Sequence, residues 1–411
     1  MRSPLASLPI AAVALLFGFT MSAQAQNVQR HGKVIVPDSS VEHTGDAGHR
    51  AHTNHLIFVP DRKTQSSLSR PSGETPASLG CVYGLVSPLA SGCTIAGSTV
   101  NPSRGAGAIA IVDAYDDPTA ENDLAVFSST FGLPQAVFTK VYASGSRPKT
   151  NCGWAQEISL DIEWAHAMAP YAKIYLVEAS SSSLTALLKA ESVAANLVAA
   201  AGGGEVTNSW SSGEFSSETS YDSKFTTPGV VYFGSAGDKA GALGYPSVSP
   251  NVVSAGGTSV QRDAQGNFAG EVVWNNQYGG TGGGPSVYES RPGYQDSISG
   301  IVGSHRGTPD FSFDADPATG VSVYDSTSCQ GRSGWLVFGG TSVSSPALAG
   351  IVNAAGHLYA STDIELSTLY GNLGNGSDFR DITSGACGSN AAGAGWDYCT
   401  GVGSDIGVVG K

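Results

Sequence analysis

Apolar and polar positions change rhythm along this chain, and the change marks out its elements. From about residue 105, short runs rich in β-branched residues recur between turn residues: AIAIVDAY (108–115), KIYLVEAS (173–180), EVTNSW (205–210), VVYFGSAGD (230–238) and VVSAGGTSV (252–260). Continuous apolar runs of this length read as buried strands. Amphipathic stretches near 118–131, 155–169 and 183–200 lie between them and read as helices. Strands alternating with helices predict an α/β fold, a parallel sheet flanked by helices on both faces. Functional groups in such sheets gather beyond the carboxyl ends of the strands, which singles out Asp113, Trp210 and Asp238. There is no internal repeat.

The N-terminal part follows a different pattern. Arg2, an apolar stretch from Leu8 to Phe19 and the sequence Ala23-Gln24-Ala25 have the layout of a cleaved secretory signal over 1–25. That apolar run is too short to cross a bilayer, and no later stretch is long enough. A soluble, secreted protein is expected, extracellular or periplasmic, monomeric and free of the membrane after signal cleavage. Residues 26–78 are polar, rich in Ser, Pro and His, and lack a sustained apolar period, which predicts a flexible leader or short propeptide. His43, His49, His52 and His55 fall in this leader without helical spacing or an acidic co-ligand, so they read as solvated side chains and not as a metal site.

Composition narrows the class. The 411 residues include 54 glycines, only 13% are charged, and the formal net charge is −13, which disfavours nucleic acid and anionic membrane as partners. A low density of carboxylates suits an acidic medium, since fewer groups change charge as pH falls. Six cysteines in an exported chain imply three disulfides. Cys81 with Cys93 and Cys387 with Cys399 would close short loops and leave Cys152 with Cys329, one of about 15 possible connectivities. No C-x-x-C pair and no close Cys/His set points to zinc.

The sharpest chemical signal is GGTSVSSPALAG (339–350), which follows the apolar run WLVF. A turn of this composition places Ser342 at the start of a helix, where unpaired N–H groups face a developing oxyanion, although Ser and Thr are also ordinary helix caps. A serine needs a base. Five of the eight histidines precede the core, His305 lies in a loop, and His357 follows the helix after Ser342. His166 is the one histidine in contention, and using it would make a neutral-pH Ser-His-Asp enzyme. Glu157 and Asp161 are the stronger candidates: four residues apart, they share one helix face beside Leu160, Ile162 and Trp164. Two buried acids at that spacing share a proton, with one pKa raised and the other lowered, and such a dyad accepts a serine proton at a pH where histidine is already charged. Asp238, in the glycine-rich turn GSAGDKAG (234–241), would donate a hydrogen bond to an oxyanion if it stays protonated.

Together these segments resemble the sedolisin (serine-carboxyl peptidase) family over about 79–405, nearly the whole mature chain. The resemblance implies a subtilisin-like catalytic domain over 79–411. EISLDIEWAHAMAP would supply Glu157 as base and Asp161 as its partner, GGTSVSSP the nucleophile Ser342, and SAGD the oxyanion residue Asp238. Asp113 and Trp210 would extend the hydrogen-bond network behind the dyad. DFRDITSGACGSNAAGAGWDYCTGVGSD (378–405) resembles the family's calcium site, with carboxylates from Asp381 and Asp397 and carbonyls from Ile382, Gly393 and Gly395 for one ion. The implied activity is acid endopeptidase action on proteins or peptides through an acyl-enzyme on Ser342. A catalytically inactive secreted binding or structural protein on the same calcium-stabilised fold is the alternative. Gly339, Ser211 and Lys239-Ala240 depart from the family's usual residues at the substrate cleft, and the leader is shorter than the family's folded propeptide.

Overall fold

The computed structural model describes Met1, residues 32–60 and residues 69–411. Apart from Met1, the expected signal segment lies outside the described residues. The strands Val137–Tyr142, Lys173–Ala179, Ala108–Ala114, Gly204–Asn208, Val230–Ser235, Val253–Arg262, Phe311–Asp314 and Ser404–Asp405 lie side by side in that order, all parallel. Phe379–Arg380 closes one edge antiparallel, and Phe268–Val273 pairs antiparallel with Val253–Arg262. The five strands read from the sequence are all present, with ends within three residues of those expected.

Both faces of this sheet are covered, and the side-chain alternation of a strand shows why. In Ala108–Ala114, Ile109 and Ile111 pack with the helices Cys152–Met168 and Thr341–Ala355, while Ala108, Ala110, Val112 and Ala114 pack with Leu184–Ala200. Every residue of that strand is buried, the expected state for a central parallel strand. The chain builds outward from Ala108–Ala114 on one side, then returns to lay Gly204–Asn208 on the other. This reversal opens a crevice at the carboxyl ends of the two strands, beside Asp113 and Asn208.

Two helices carry the candidate groups into that crevice. Cys152–Met168 starts at Asn151, whose side chain accepts from the N–H groups of Gly153 and Trp154 at 3.1 and 3.2 Å. Thr341–Ala355 crosses it closely because position 350 is glycine: a Cβ there would lie 2.7 Å from the Met168 Cβ and 3.0 Å from the Ala165 carbonyl. Disulfides join Cys81 to Cys93, Cys152 to Cys329 and Cys387 to Cys399. The second anchors the start of the Glu157 helix to the hairpin Val321–Cys329/Arg332–Gly339.

The leader expected to be flexible is instead part of the fold over 32–60. Gly32–Ile35 pairs with Leu56–Pro60, which pairs with Arg332–Gly339, and His52–Thr53 pairs with Trp210–Gly213. Leu56, Ile57 and Phe58 are buried. The order comes from partners distant in sequence, which a local reading of periodicity does not register. The boundary at residue 79 also moves, since the helix Pro76–Val82 begins earlier, capped by the Thr75 hydroxyl on the Ser78 N–H. Residues 61–68 lie outside the described residues. Among the described residues, no helix is long and apolar enough to cross a membrane.

Candidate active site

Glu157 and Asp161 face the crevice from the middle of a helix whose residues from Gly153 onward are all buried. Burial pushes the Glu157 carboxyl well above the usual range, and the neighbouring Ser342 hydroxyl opposes that rise. Asp161 is raised by burial and by the charge of Glu157, against a hydrogen bond from Ser209. The Ser209 hydroxyl lies 2.8 Å from Asp161 Oδ1. Asp113 lies behind the pair at the end of its strand, raised by burial and then by Asp161 and Glu157. Neither of its oxygens has a hydrogen-bond partner among the described residues. Three buried acids with no cation among their partners hold protons far above the pH at which a free carboxyl loses its own.

Ser342 is the second residue of Thr341–Ala355, the helix that follows the strand Arg332–Gly339. Pro346 lacks the N–H that would normally bond the Ser342 carbonyl one turn earlier. The Ser209 hydroxyl oxygen, whose proton points to Asp161 at the shorter distance, lies 3.3 Å from that carbonyl oxygen. Ser209 therefore sits beside both Asp161 and the backbone of Ser342. The Ser342 hydroxyl donates to the Ser209 carbonyl at 3.2 Å.

Asp238 approaches from the turn after Val230–Ser235. Its Oδ1 accepts from the Thr341 N–H at 2.7 Å and the Thr341 hydroxyl at 2.9 Å, while Oδ2 has no partner among the described residues. Burial raises its pKa to about 8, with the Thr341 bonds opposing, so in acid it is a neutral donor. Between Asp238 and Ser342 lies the Asn54 carbonyl oxygen, which accepts the Ser342 N–H at 2.9 Å. Gly340, at φ +102°, makes room: a Cβ there would collide with the Asn54 oxygen and stand 2.5 Å from Asp238 Oδ2.

Every residue assigned to the chemistry from sequence thus converges on one crevice: Glu157, Asp161, Asp238 and Ser342, with Asp113 behind them. Trp210 is also there, but its indole N–H donates to the Val112 carbonyl at 2.9 Å and not to an acid, so it fixes the strand end beside Asp113. His166 faces elsewhere, its Nε2 2.9 Å from the Pro134 carbonyl, which removes it from the serine. The residue missed was His55. Its Nδ1 lies 2.7 Å from Glu157 Oε2, in full burial, and burial lowers its pKa to about 3. A neutral His55 and a protonated Glu157 share the proton of that contact. The apolar run LIFV (56–59) directly after His55 is the signal by which this segment was recognisable as buried.

The residues assigned to calcium are close together. Asp381 accepts the Gly395 N–H at 2.9 Å, and Asp397 accepts those of Gly393, Cys399 and Thr400 at 3.0, 2.8 and 3.0 Å. The carbonyls of Ile382, Gly393 and Gly395 accept no protein hydrogen bond among the described residues. Two carboxylates around one loop with free carbonyls form an oxygen-only donor set, which fits a hard divalent cation. Among the described residues no cluster of three or more His, Cys, Asp or Glu side chains has metal-binding geometry.

No protein-family profile matches the chain. It is 36% identical over 181 residues to sedolisin from Pseudomonas sp. (strain 101), covering 40% of this chain and 29% of that protein. It is 31% identical over 321 residues to kumamolisin from Bacillus sp. (strain MN-32), covering 70% of this chain and 56% of that protein. The alignments thus span little more than half of these curated relatives at most. In three dimensions it is similar to Pseudomonas sedolisin (serine-carboxyl proteinase) complexed with two molecules of pseudo-iodotyrostatin, at TM-score 0.66 and 25% identity, covering 82% of this chain and 96% of that one. With a subtilisin-like α/β fold and Glu, Asp, Asp and Ser meeting in one buried crevice, the chain belongs to the sedolisin family.

Proposed function

We propose that this protein is an acid-acting endopeptidase that hydrolyses peptide bonds through an acyl-enzyme on Ser342. The observation that carries the reading is a peptide carbonyl, that of Asn54, held against the Ser342 N–H beside a neutral Asp238, with Glu157 and Asp161 beneath. In the form in which Glu157 is ionised and Asp161 keeps the dyad's one proton, Ser342 Oγ adds to such a carbonyl carbon while its own proton passes to Glu157. The Ser342 N–H and the Asp238 carboxylic acid receive the oxyanion. Glu157 then protonates the leaving nitrogen, and water splits the ester by the reverse proton path. Asp238, raised to about 8, is neutral throughout the acidic range, so the scheme operates in acid and activity on the acidic side of pH 6 is expected.

Asp381 and Asp397, with the carbonyls of Ile382, Gly393 and Gly395, would hold one calcium ion. When bound, the ion supplies charge neutralisation between two loop segments and no step of the reaction. The N-terminal signal pattern supports secretion. The second reading, an inactive binding or structural protein, is favoured by one observation: residues 52–55 fill the cleft and His55 covers the base.

The test is digestion of a denatured protein by the purified chain across pH 3–8, beside Ser342→Ala. Cleavage that rises below pH 6 and vanishes in Ser342→Ala is expected. Cleavage that is absent, or unchanged in the variant, overturns the peptidase reading.

A further inference from the structure

Residues 52–55 cross the crevice as an extended strand. His52–Thr53 pairs antiparallel with Trp210 and Ser211, the Asn54 N–H donates to the Ser209 carbonyl at 3.1 Å, and the Asn54 carbonyl takes the Ser342 N–H at 2.9 Å. A peptide held this way presents the bond between Asn54 and His55 to Ser342, and the Asn54 side chain therefore occupies the pocket that reads the residue before the cut. That pocket is polar. Asn54 Nδ2 donates to Ser235 Oγ at 2.7 Å and to Ser211 Oγ at 3.1 Å, and Ser211 Oγ lies 3.2 Å from Asn54 Oδ1. Asn54, Ser211 and Ser235 are all at most 3% exposed.

We propose that Ser211 and Ser235 form a carboxamide-selective pocket, so that this protein cleaves after asparagine, and less well after glutamine. The proposal rests on the peptidase reading and names its substrate class. An apolar side chain in this pocket would leave two buried hydroxyls without partners, and a site built to hydrogen-bond one group rejects analogues that lack it. Asn54 and Ser211 lie on the wall of a groove of about 350 Å³ that also includes Thr53, Leu243 and Lys239, and within it the Asn54 carboxamide is the group that Ser211 and Ser235 bond. The chain's own strand is the first ligand of this pocket. Ser342 Oγ adds to the Asn54 carbonyl carbon, the C–N bond to His55 breaks as Glu157 returns the proton to the His55 nitrogen, and water releases the Asn54 carboxylate.

The experiment maps cleavage positions by mass spectrometry after the full-length protein digests a mixture of denatured proteins at pH 4. Asparagine and glutamine before the cut are expected at about tenfold or more above their abundance, with that enrichment lost in Ser211→Ala/Ser235→Ala. Ser342-dependent cleavage without enrichment overturns the pocket and leaves the peptidase reading standing. No Ser342-dependent cleavage overturns both. The wild-type map needs no variant to fold. A second readout is the chain's own new N-terminus: one at His55 is expected, formed about tenfold more slowly in Asn54→Leu than in Asn54→Gln. Equal rates in the two variants also overturn the pocket.

Discussion

Two sets of charged groups are fully buried in this molecule, and they are handled in opposite ways. Around Arg306, the guanidinium donates to Asp310 through both arms, at 2.8 and 2.6 Å, and Tyr370 and the Ser254 N–H donate to the same carboxylate at 2.8 Å each. Beneath Ser342, Glu157, Asp161 and Asp113 have no Lys or Arg partner among the described residues, and each keeps at least one oxygen without a hydrogen bond. The first arrangement sets a cation directly against its carboxylate. The second avoids charge by keeping protons. Burial of equal depth thus serves structure where partners are supplied and reactivity where they are withheld.

The largest expected effects separate the two sets cleanly. At pH 4, Ser342→Ala lowers kcat/KM on a denatured protein by about 10⁶ and Glu157→Gln by about 10⁴, while neither lowers the thermal midpoint. Arg306→Met does the reverse by leaving Asp310 buried without a cation, and costs about 3–5 kcal/mol of stability, read by denaturant unfolding. If Glu157→Gln unfolds the protein as readily as Arg306→Met, the distinction between the sets fails.

How much of this contrast was legible in the sequence depends on the range of the interactions. Glu157 and Asp161 were found because their relation is local, one helical turn in an apolar segment, and Ser342 because its turn composition is local too. The five strands were legible for the same reason, being short buried runs between turns. What was missed is non-local. Leu56–Pro60 owes its order to Arg332–Gly339, and the Asn54 carbonyl and His55 ring owe their places to Ser342 and Glu157. The low charge density was read as acid tolerance through fewer ionised groups, and the structure adds a stronger source, acids such as Glu157, Asp161, Asp113 and Glu205 buried in their neutral form.

Asp238 stands between the two sets, since Thr341 satisfies one oxygen and nothing among the described residues bonds the other. If the free oxygen carries the proton offered to an oxyanion, Asp238→Ala loses about 10²–10³ in kcat with KM little changed. Asp238→Asn keeps a donor in the same place and recovers most of that loss. Steady-state kinetics at pH 4 on one peptide decides the matter. Equal losses in the two variants would show that Asp238 holds the Thr341 turn in place and does no more.

The smallest effect tests whether neutral acids are what distinguishes the crevice, and it turns on the sign of the pH dependence. Asp113 has a folded pKa raised well above its unfolded value, because burial and the neighbouring acids oppose its charge. Its contribution to stability is therefore fully present below the unfolded value near ~4. It is lost as pH rises toward the folded value, by at most about 1.4 kcal/mol per pH unit. Asp113→Asn has no proton to lose. The variant and the parent should melt together near pH 3.5, and the variant should pull ahead by about one to two degrees for each kcal/mol the parent forfeits as pH rises to 7. A gap that is constant from pH 3.5 to 7 would mean that Asp113 is not held neutral, and a gap of opposite sign would mean that its charged form is the one the fold stabilises.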